Sequence, residues 1–228
     1  MWDGKNKALT FSYDDGITQD KRLVELFNKY GMKCTFNLNS GIMNEKGSFR
    51  IGEIPITRMT PDGLAELYKG HEIAVHTLTH PNLLELDDEA VQKEIAGDKD
   101  ALEKIFGTEI TGMAYPYGTF DKRIIRIARE CGIKYSRTVM DAPDFSVQAE
   151  LMELKATCHH KNSRLWELFD AFLAYEGDAP AIFCLWGHSY EFDVDGNWEL
   201  IEEFCRRASC SKDVFFGTNS EVYLNNLK

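Results

Sequence analysis

The chain lacks any run of about eighteen apolar residues, so no transmembrane helix is expected; a helical span needs roughly that length to cross the hydrocarbon core. Bases are scarce: 26 Lys and Arg stand against 37 Asp and Glu, a formal net charge of −11. That balance argues against nucleic acid and anionic membrane surfaces, which both require basic patches to displace counterions, and it disfavours a strongly anionic polymer as ligand. No Cys-x-x-Cys zinc pattern is present. The six cysteines (Cys34, Cys131, Cys158, Cys184, Cys205 and Cys210) are scattered, most in apolar surroundings that suit reduced, buried thiols. Cys205 and Cys210 lie five apart around a helix end, where pairing would be accidental. The expectation is a reducing compartment, the bacterial cytoplasm. Met1-Trp2-Asp3-Gly4-Lys5 leads almost directly into the first strand, leaving no room for a signal peptide unless a leader has been removed. No linker, low-complexity tract or internal repeat divides the 228 residues, which suit one domain with a sizeable core.

What is present is an alternation of strands and helices. Ala8 to Tyr13 reads as a strand, Gln19 to Tyr30 as an amphipathic helix closed by Gly31, and Lys33 to Leu38 as a second strand. Thr60-Pro61 reads as the start of a helix to Lys69, and Glu72 to Val75 as the strand that delivers His76. A long helix is expected from Asp87 to Phe106. Strands at Thr111–Tyr115, Lys134–Ser136, Leu154–Thr157, Ala181–Trp186 and Val214–Gly217 alternate with helices at Asp121–Cys131, Ser163–Tyr175, Trp198–Ser209 and Asn219–Leu227. Such βα alternation implies parallel strands covered by helices. At this length the expectation is a distorted (β/α) barrel of TIM-like type, not necessarily complete. Residues Asn39 to Met59 show no clear periodicity, and so long a loop in a compact domain is a candidate wall for a binding groove.

Three motifs recur in a fixed order at the ends of strand-like segments, where parallel α/β folds gather their sites. They are Phe11-Ser12-Tyr13-Asp14-Asp15-Gly16, His76-Thr77-Leu78-Thr79-His80 and Leu185-Trp186-Gly187-His188. Taken singly each has a plain reading. Asp-Asp-Gly is usually a turn, a lone His-x3-His is more often unrelated side chains than a ligand pair, and a histidine after an apolar run is more often a hydrogen-bonded core residue than a catalyst. Together they read as a metallohydrolase. His76 and His80 converge if the chain makes a helical turn there. Asp15 is the natural third ligand of an open catalytic site, and Asp14 is then left as a base.

On these residues the chain resembles the polysaccharide deacetylases, the NodB-type domain of carbohydrate esterase family four, over nearly its whole length. The family's Thr-Phe-Asp-Asp-Gly reads here as Thr10-Phe11, then Ser12-Tyr13, then Asp14-Asp15-Gly16. Its His-Ser/Thr-x-x-His is intact at His76 to His80, and its Leu-x-His reads Leu185, Trp186, then His188 after one extra residue, Gly187. Two motifs are altered. Arg-x-Pro-Tyr-Gly reads Ala114-Tyr115-Pro116-Tyr117-Gly118, so the arginine that resemblance would pair with the catalytic aspartate is absent. Arg137, after the strand-like Lys134-Tyr135-Ser136, is a candidate replacement, although a solvated arginine is an equal reading. Asp-x-x-Asp-Trp reads Asp141-Ala142-Pro143-Asp144-Phe145, which leaves open whether either aspartate orients His188.

The resemblance implies a carbohydrate substrate and one divalent ion, zinc in first place with cobalt, nickel or manganese as alternatives, held by Asp15, His76 and His80. Asp14 takes a proton from water, His188 gives one to the leaving amine or alcohol, and the Tyr117 N–H stabilises the oxyanion. Pro116, Tyr117, Leu185 and Trp186 are the expected substrate contacts, with Tyr117 and Trp186 as stacking rings or, equally, as barrel core. His159-His160 ends another strand-like run, where alternation allows at most one of the pair to line the site. N- and O-acetyl substrates remain equal expectations. Hydrolysis of a small non-sugar amide and an inactive sugar-binding module are the other readings, the first disfavoured by intact Asp15, His76 and His80, the second by intact Asp14 and His188.

Overall fold

All eight residues of β1 (Lys7–Asp14) are buried, as befits a parallel strand covered on both faces. The structure is a computed structural model that describes residues 1–225, with the backbone alone for Glu45, Lys46 and Asn225. After β1 come α1 (Asp20–Tyr30), β2 (Cys34–Leu38), β3 (Phe49–Ile51), β4 (Ile54–Ile56), α2 (Leu64–Leu67) and β5 (Glu72–Val75). They are followed by α3 (Asp88–Phe106), β6 (Gly112–Ala114), α4 (Lys122–Glu130), β7 (Tyr135–Asp141), β8 (Leu154–Ala156) and β9 (Cys158–His159). Then α5 (Leu165–Leu173), β10 (Ala181–Gly187), α6 (Tyr190–Val194), α7 (Trp198–Ser209) and β11 (Val214–Phe216) complete the order.

Eight parallel strands pair in the order β8-β7-β6-β5-β2-β1-β10-β9. The two ends of this row are successive pieces of one chain segment. β8 pairs with β7 and β9 with β10, while Thr157 between them donates its N–H to the Cys184 carbonyl at 2.8 Å and accepts the Cys184 N–H on Oγ1 at 3.0 Å. The row thereby curls into the nearly closed, distorted (β/α) barrel that the βα alternation implied. β11 pairs with Lys7–Leu9 of β1, while β2 pairs with Phe11–Asp14.

Strand alternation divides the side chains of β1 between two environments. Phe11 turns outward to Phe27 of α1 and Phe204 of α7, at ring distances of 4.6 and 5.8 Å. Ser12 turns inward, where it meets Asn37 of β2 and Arg137 of β7. The register with β10 runs unbroken from Lys7↔Ala181 to Tyr13↔Gly187, so Ser12-Tyr13 is regular strand and not an insertion that displaces the aspartates.

The helices follow local rules. Asp87 caps α3 by accepting the Ala90 N–H at 2.9 Å, and Gly107, left-handed at φ 67°, ends it. Among its buried positions Val91, Ile95, Asp98 and Leu102, one is an aspartate. Corrections to the sequence reading are local. The helix expected from Thr60 shrinks to Leu64–Leu67, because Gly63 stands at its N-cap with φ 77°. The strand at Lys134–Ser136 extends to Asp141. The terminal helix is a five-residue π-helical turn, Glu221–Asn225, and the rest of that expected helix, Asn226 and Leu227, lies outside the described residues. The segment after β2 holds the antiparallel β3–β4 hairpin. All six cysteines are free, and among the described residues no helix is long and apolar enough to cross a membrane.

Candidate active site at the barrel mouth

The C-terminal ends of the strands surround a cavity of about 490 Å³ that Asp14, Asp15, His76, His80, Tyr117, Trp186 and His188 line together. A larger cavity of about 620 Å³, between Phe145, Val147, Tyr175 and Ala181, lies at the N-terminal end of β10. It holds no cluster of reactive groups.

Asp14 ends β1 and is 3% exposed. Asn37 Nδ2 donates to its Oδ1 at 2.8 Å, and an Arg137 guanidinium N–H donates to its Oδ2. Burial alone would raise the carboxyl, but Arg137, with His76 and His188 nearby, holds it down at about 2. Arg137 itself is 2% exposed; its Nε–H donates to Ser12 Oγ at 3.1 Å and its guanidinium lies 4.5 Å from the centre of the Trp186 ring. It is therefore not the solvated arginine of the alternative reading.

The metal-ligand candidates converge by a route different from the one expected. No helical turn joins His76 to His80. Thr77 and His80 take left-handed backbone angles, φ 68° and 58°, and the His80 N–H bonds to Thr77 Oγ1 at 3.1 Å. This loop is tied down by Asp98, whose Oδ2 accepts the His76 N–H at 3.0 Å while its Oδ1 accepts from the N–H and hydroxyl of Ser40. Asp15 is likewise left-handed at φ 88°. One ligand atom each of Asp15, His76 and His80 lies within 4.8 Å of the others. Burial lowers His76 to about 4 and lowers His80 as well, so both are neutral and able to donate a lone pair near pH 7.

Arg58 was not anticipated. Thr57 to Met59 runs beside Gly16 to Thr18, and this delivers the Arg58 guanidinium to both the carbonyl and the carboxylate of Asp15, the latter at 3.1 Å, and to Asn39 Oδ1 at 2.8 Å. Burial opposes ionisation of Asp15, yet Arg58, then His188, His76 and His80, lower its carboxyl below the usual range. The wall expected from residues 39–59 is thus partly real, since Phe49 and Arg58 both line the cavity, and Phe49 meets Tyr190 edge-on at 5.7 Å.

His188 follows β10 and faces Asp14, with Nε2 4.0 Å from Oδ2. Its Nδ1 lies 3.3 Å from Glu191. Asp141 instead accepts from Asn162, and Asp144 from Ser146, so these two carboxylates are engaged away from His188. Of the expected substrate contacts, Tyr117 and Trp186 line the cavity. Pro116 and Leu185 do not: both are buried, and Leu185 belongs to the outer core because it alternates with Trp186 along β10. Tyr117 sits in a turn with φ 57° and packs against His80 at 4.6 Å. His159 and His160 line no part of the cavity; both Nε2 atoms approach Glu191, at 3.1 and 3.4 Å. Alternation does not separate them because β9 ends at His159.

Comparison with known proteins gives the family and the fold. Residues 3–136 match the sequence pattern of the polysaccharide deacetylases. The chain belongs to that family. It is 28% identical over 124 residues to chitin deacetylase 1 of Cryptococcus neoformans, covering 54% of this chain and 23% of the relative. It is 24% identical over 143 residues to the peptidoglycan-N-acetylglucosamine deacetylase PgdA of Listeria monocytogenes, covering 61% and 27%. The chain therefore spans about a quarter of the length of these curated relatives. The solved structure of a family 4 carbohydrate esterase from Streptomyces lividans in complex with acetate superposes with a TM-score of 0.58 at 14% identity, covering 94% of this chain and 93% of that one. At that identity the likeness speaks for the shared barrel.

In this member of the polysaccharide deacetylase family the donor set suits a divalent ion. His76 Nδ1 is bonded to the Ala114 carbonyl at 2.8 Å, which fixes the ring and leaves Nε2 as the lone-pair donor; metal-bound histidines characteristically direct their other nitrogen to a carbonyl or carboxylate. One carboxylate and two imidazoles with room for exchangeable ligands is a composition that zinc and its neighbours accept.

Proposed function

We propose that the chain is a metal-dependent hydrolase that removes N- or O-acetyl groups from a carbohydrate, a chitooligosaccharide, a peptidoglycan fragment or an acetylated xylan. The observation that carries this reading is the pairing of two differently treated aspartates: Asp15 among two neutral imidazoles, and Asp14 beside it under Arg137 with His188 opposite. Membership of the polysaccharide deacetylase family, with relatives named for chitin and for peptidoglycan, supports the substrate class.

Asp15, His76 and His80 would hold the ion, which when bound polarises the acetyl carbonyl and acidifies water. Asp14, ionised across the neutral range, accepts the proton of the attacking water. Arg137 and Asn37 fix the direction of its carboxylate, and the buried guanidinium keeps it from taking up a proton prematurely. His188 donates a proton from Nε2 to the departing nitrogen or oxygen. The Tyr117 N–H is the backbone donor assigned to the oxyanion. Tyr117 and Trp186, with Phe49 and Tyr190, offer ring faces to a sugar. That the six cysteines are unpaired supports a cytoplasmic location, and short oligosaccharides would be the substrates there.

The test is acetate release from chitin oligomers, peptidoglycan fragments and acetylated xylan, with and without a chelator. Release from at least one, abolished by chelation and restored by zinc, is expected; release from none would overturn the reading in favour of a non-sugar amide or a binding module.

A further inference from the structure

One carboxylate oxygen near the mouth of the barrel has more nitrogen neighbours than any stabilising role on a short helix requires. Glu191 is the second residue of α6 and its side chain is 16% exposed. Its Oε2 lies 3.1 Å from the His188 backbone N, 3.3 Å from His188 Nδ1, 3.1 Å from His159 Nε2 and 3.4 Å from His160 Nε2. Lys161 Nζ stands 3.9 Å from Oε1 and is itself paired with Asp195 at 2.8 Å. The three imidazoles reach this oxygen from the ends of two neighbouring strands, β9 and β10.

We infer that Glu191 is the positioning residue of His188: its carboxylate accepts the Nδ1–H, fixes the ring and its tautomer, and so presents Nε2 to the cavity. The inference rests on the deacetylase reading insofar as it gives His188 a proton to deliver. A neutral imidazole with Nδ1–H bound to a carboxylate has its basic nitrogen at Nε2, and here Nε2 is the atom that faces Asp14 Oδ2 at 4.0 Å. A carboxylate at Nδ1 also favours the imidazolium, the form that can act as an acid. The carboxylates facing His188 all run in that direction: Glu191 from α6, and Asp14 and Asp15 from the end of β1. The rings of Tyr190 and His159 also face it, at 5.2 and 6.3 Å, while Arg137 from β7 stands behind Asp14 and His160 behind Glu191. Burial alone would pull His188 down, but the Glu191 hydrogen bond and these carboxylates raise it above the ordinary imidazole value.

The other two histidines crowd Glu191: His159 Nε2 lies at 3.1 Å, and His160 Nε2 at 3.4 Å without the alignment of a hydrogen bond. His160 is 1% exposed, stacks on Phe192 at 4.3 Å, and shares a hydrogen bond of 3.1 Å between Nδ1 and the Tyr13 hydroxyl. Burial and the neighbouring His159 lower it to about 3, so it stays neutral and cannot compete for the proton. Its place also accounts for Gly187, because a Cβ there would lie 2.2 Å from His160 Nδ1. The residue between Trp186 and His188 must be glycine for His160 to pass beneath it and reach Glu191.

The test uses the purified full chain loaded with zinc. In the wild-type protein, ¹⁵N chemical shifts should show neutral His188, assigned by comparison with His188→Gln, as the Nδ1–H tautomer; the Nε2–H tautomer would overturn the proposal without any need for a Glu191 variant. In Glu191→Gln, zinc content and circular dichroism should be preserved while the His188 titration midpoint falls by about one pH unit, a tenfold change in its ionisation constant. kcat should fall about tenfold near neutral pH with KM unchanged, and the basic limb of the rate profile should move down by the same amount. An unmoved midpoint in a folded, zinc-loaded variant would overturn it. So would two zinc ions per wild-type chain and one in Glu191→Gln, which would make His159, His188 and Glu191 a metal site. A shifted midpoint in a protein that releases no acetate from any substrate would remove the deacetylase reading and leave the control of His188 by Glu191 standing.

Discussion

Arg137, carried by β7, donates to the carboxylate of Asp14 at the end of β1, although neighbouring Ala114 occupies the position where family resemblance places an arginine. Ala114 and Arg137 are register partners on adjacent strands, so the guanidinium reaches the same aspartate from one strand further round. Replacing Arg137 with methionine should leave Asp14 a buried, unpaired charge and destabilise the fold by about 3 to 5 kcal/mol, and the double variant Asp14→Asn with Arg137→Met should recover much of that. Urea unfolding of the three variants checks the pair; additive losses would show that the two residues are not coupled.

The same pair sets a pH dependence. Asp14 is held at about 2, below the ordinary 3.8, so the stability it contributes is present above about pH 4 and is lost as pH falls through about 2. In Arg137→Met its carboxyl should rise, and the acidic limb of the rate profile should move to higher pH while zinc content stays at wild-type level. An unchanged limb would mean that another group sets it.

Asp14→Asn should retain zinc and lower kcat by a hundredfold or more, the scale of a lost general base. Atomic emission on the purified variant alongside acetate release separates the two effects. Parallel loss of metal and activity would show that Asp14 and Asp15 do not divide their roles as assigned.

His80→Ala should remove most of the bound zinc, since it takes away one of the three proposed protein ligands. His159→Ala and His160→Ala should leave zinc content unchanged. Metal retained in the first and lost in either of the others would move the ion to the second histidine cluster.

Asp20, at the start of α1, accepts hydrogen bonds from Tyr68 and Ser189, yet burial outweighs them and raises its carboxyl to about 7. A folded-state value above the unfolded 3.8 means that its contribution is fullest below about pH 4 and is lost as pH rises through about 7. The melting temperature of Asp20→Asn relative to wild type should therefore increase between those limits. A difference that is flat with pH would show that Asp20 stays ionised in the folded chain.

Much of the site was legible in the sequence because strand ends can be read from hydrophobic runs, and polar residues at those ends have few other reasons to be there. Asp14, Asp15, His76, His80 and His188 were marked out as candidates in that way and by the spacing of their motifs. Arg58, Asn37, Asp98 and Glu191 were not. Asp98 left a trace, a carboxylate within the buried stripe of α3, and Glu191 left another, an acid three residues after His188 at the start of a helix. Arg58 left none, since nothing local tells a chain that Thr57 to Met59 will run beside Gly16 and bring a guanidinium to Asp15.

The sequence by itself determined the order of strands and helices, because period and capping are local properties, and it determined which strand ends would carry reactive groups. Only the tertiary structure decided which of those groups meet. Closure of the barrel through the split segment β8–Thr157–β9 set His159 and His160 against Glu191, the pairing of β6 with β7 brought Arg137 within reach of Asp14, and left-handed angles at Thr77 and His80 took the place of the expected helical turn. These contacts join residues up to 123 positions apart. They depend on strand order and register, which arise from packing the whole chain and leave no mark in any short stretch of it.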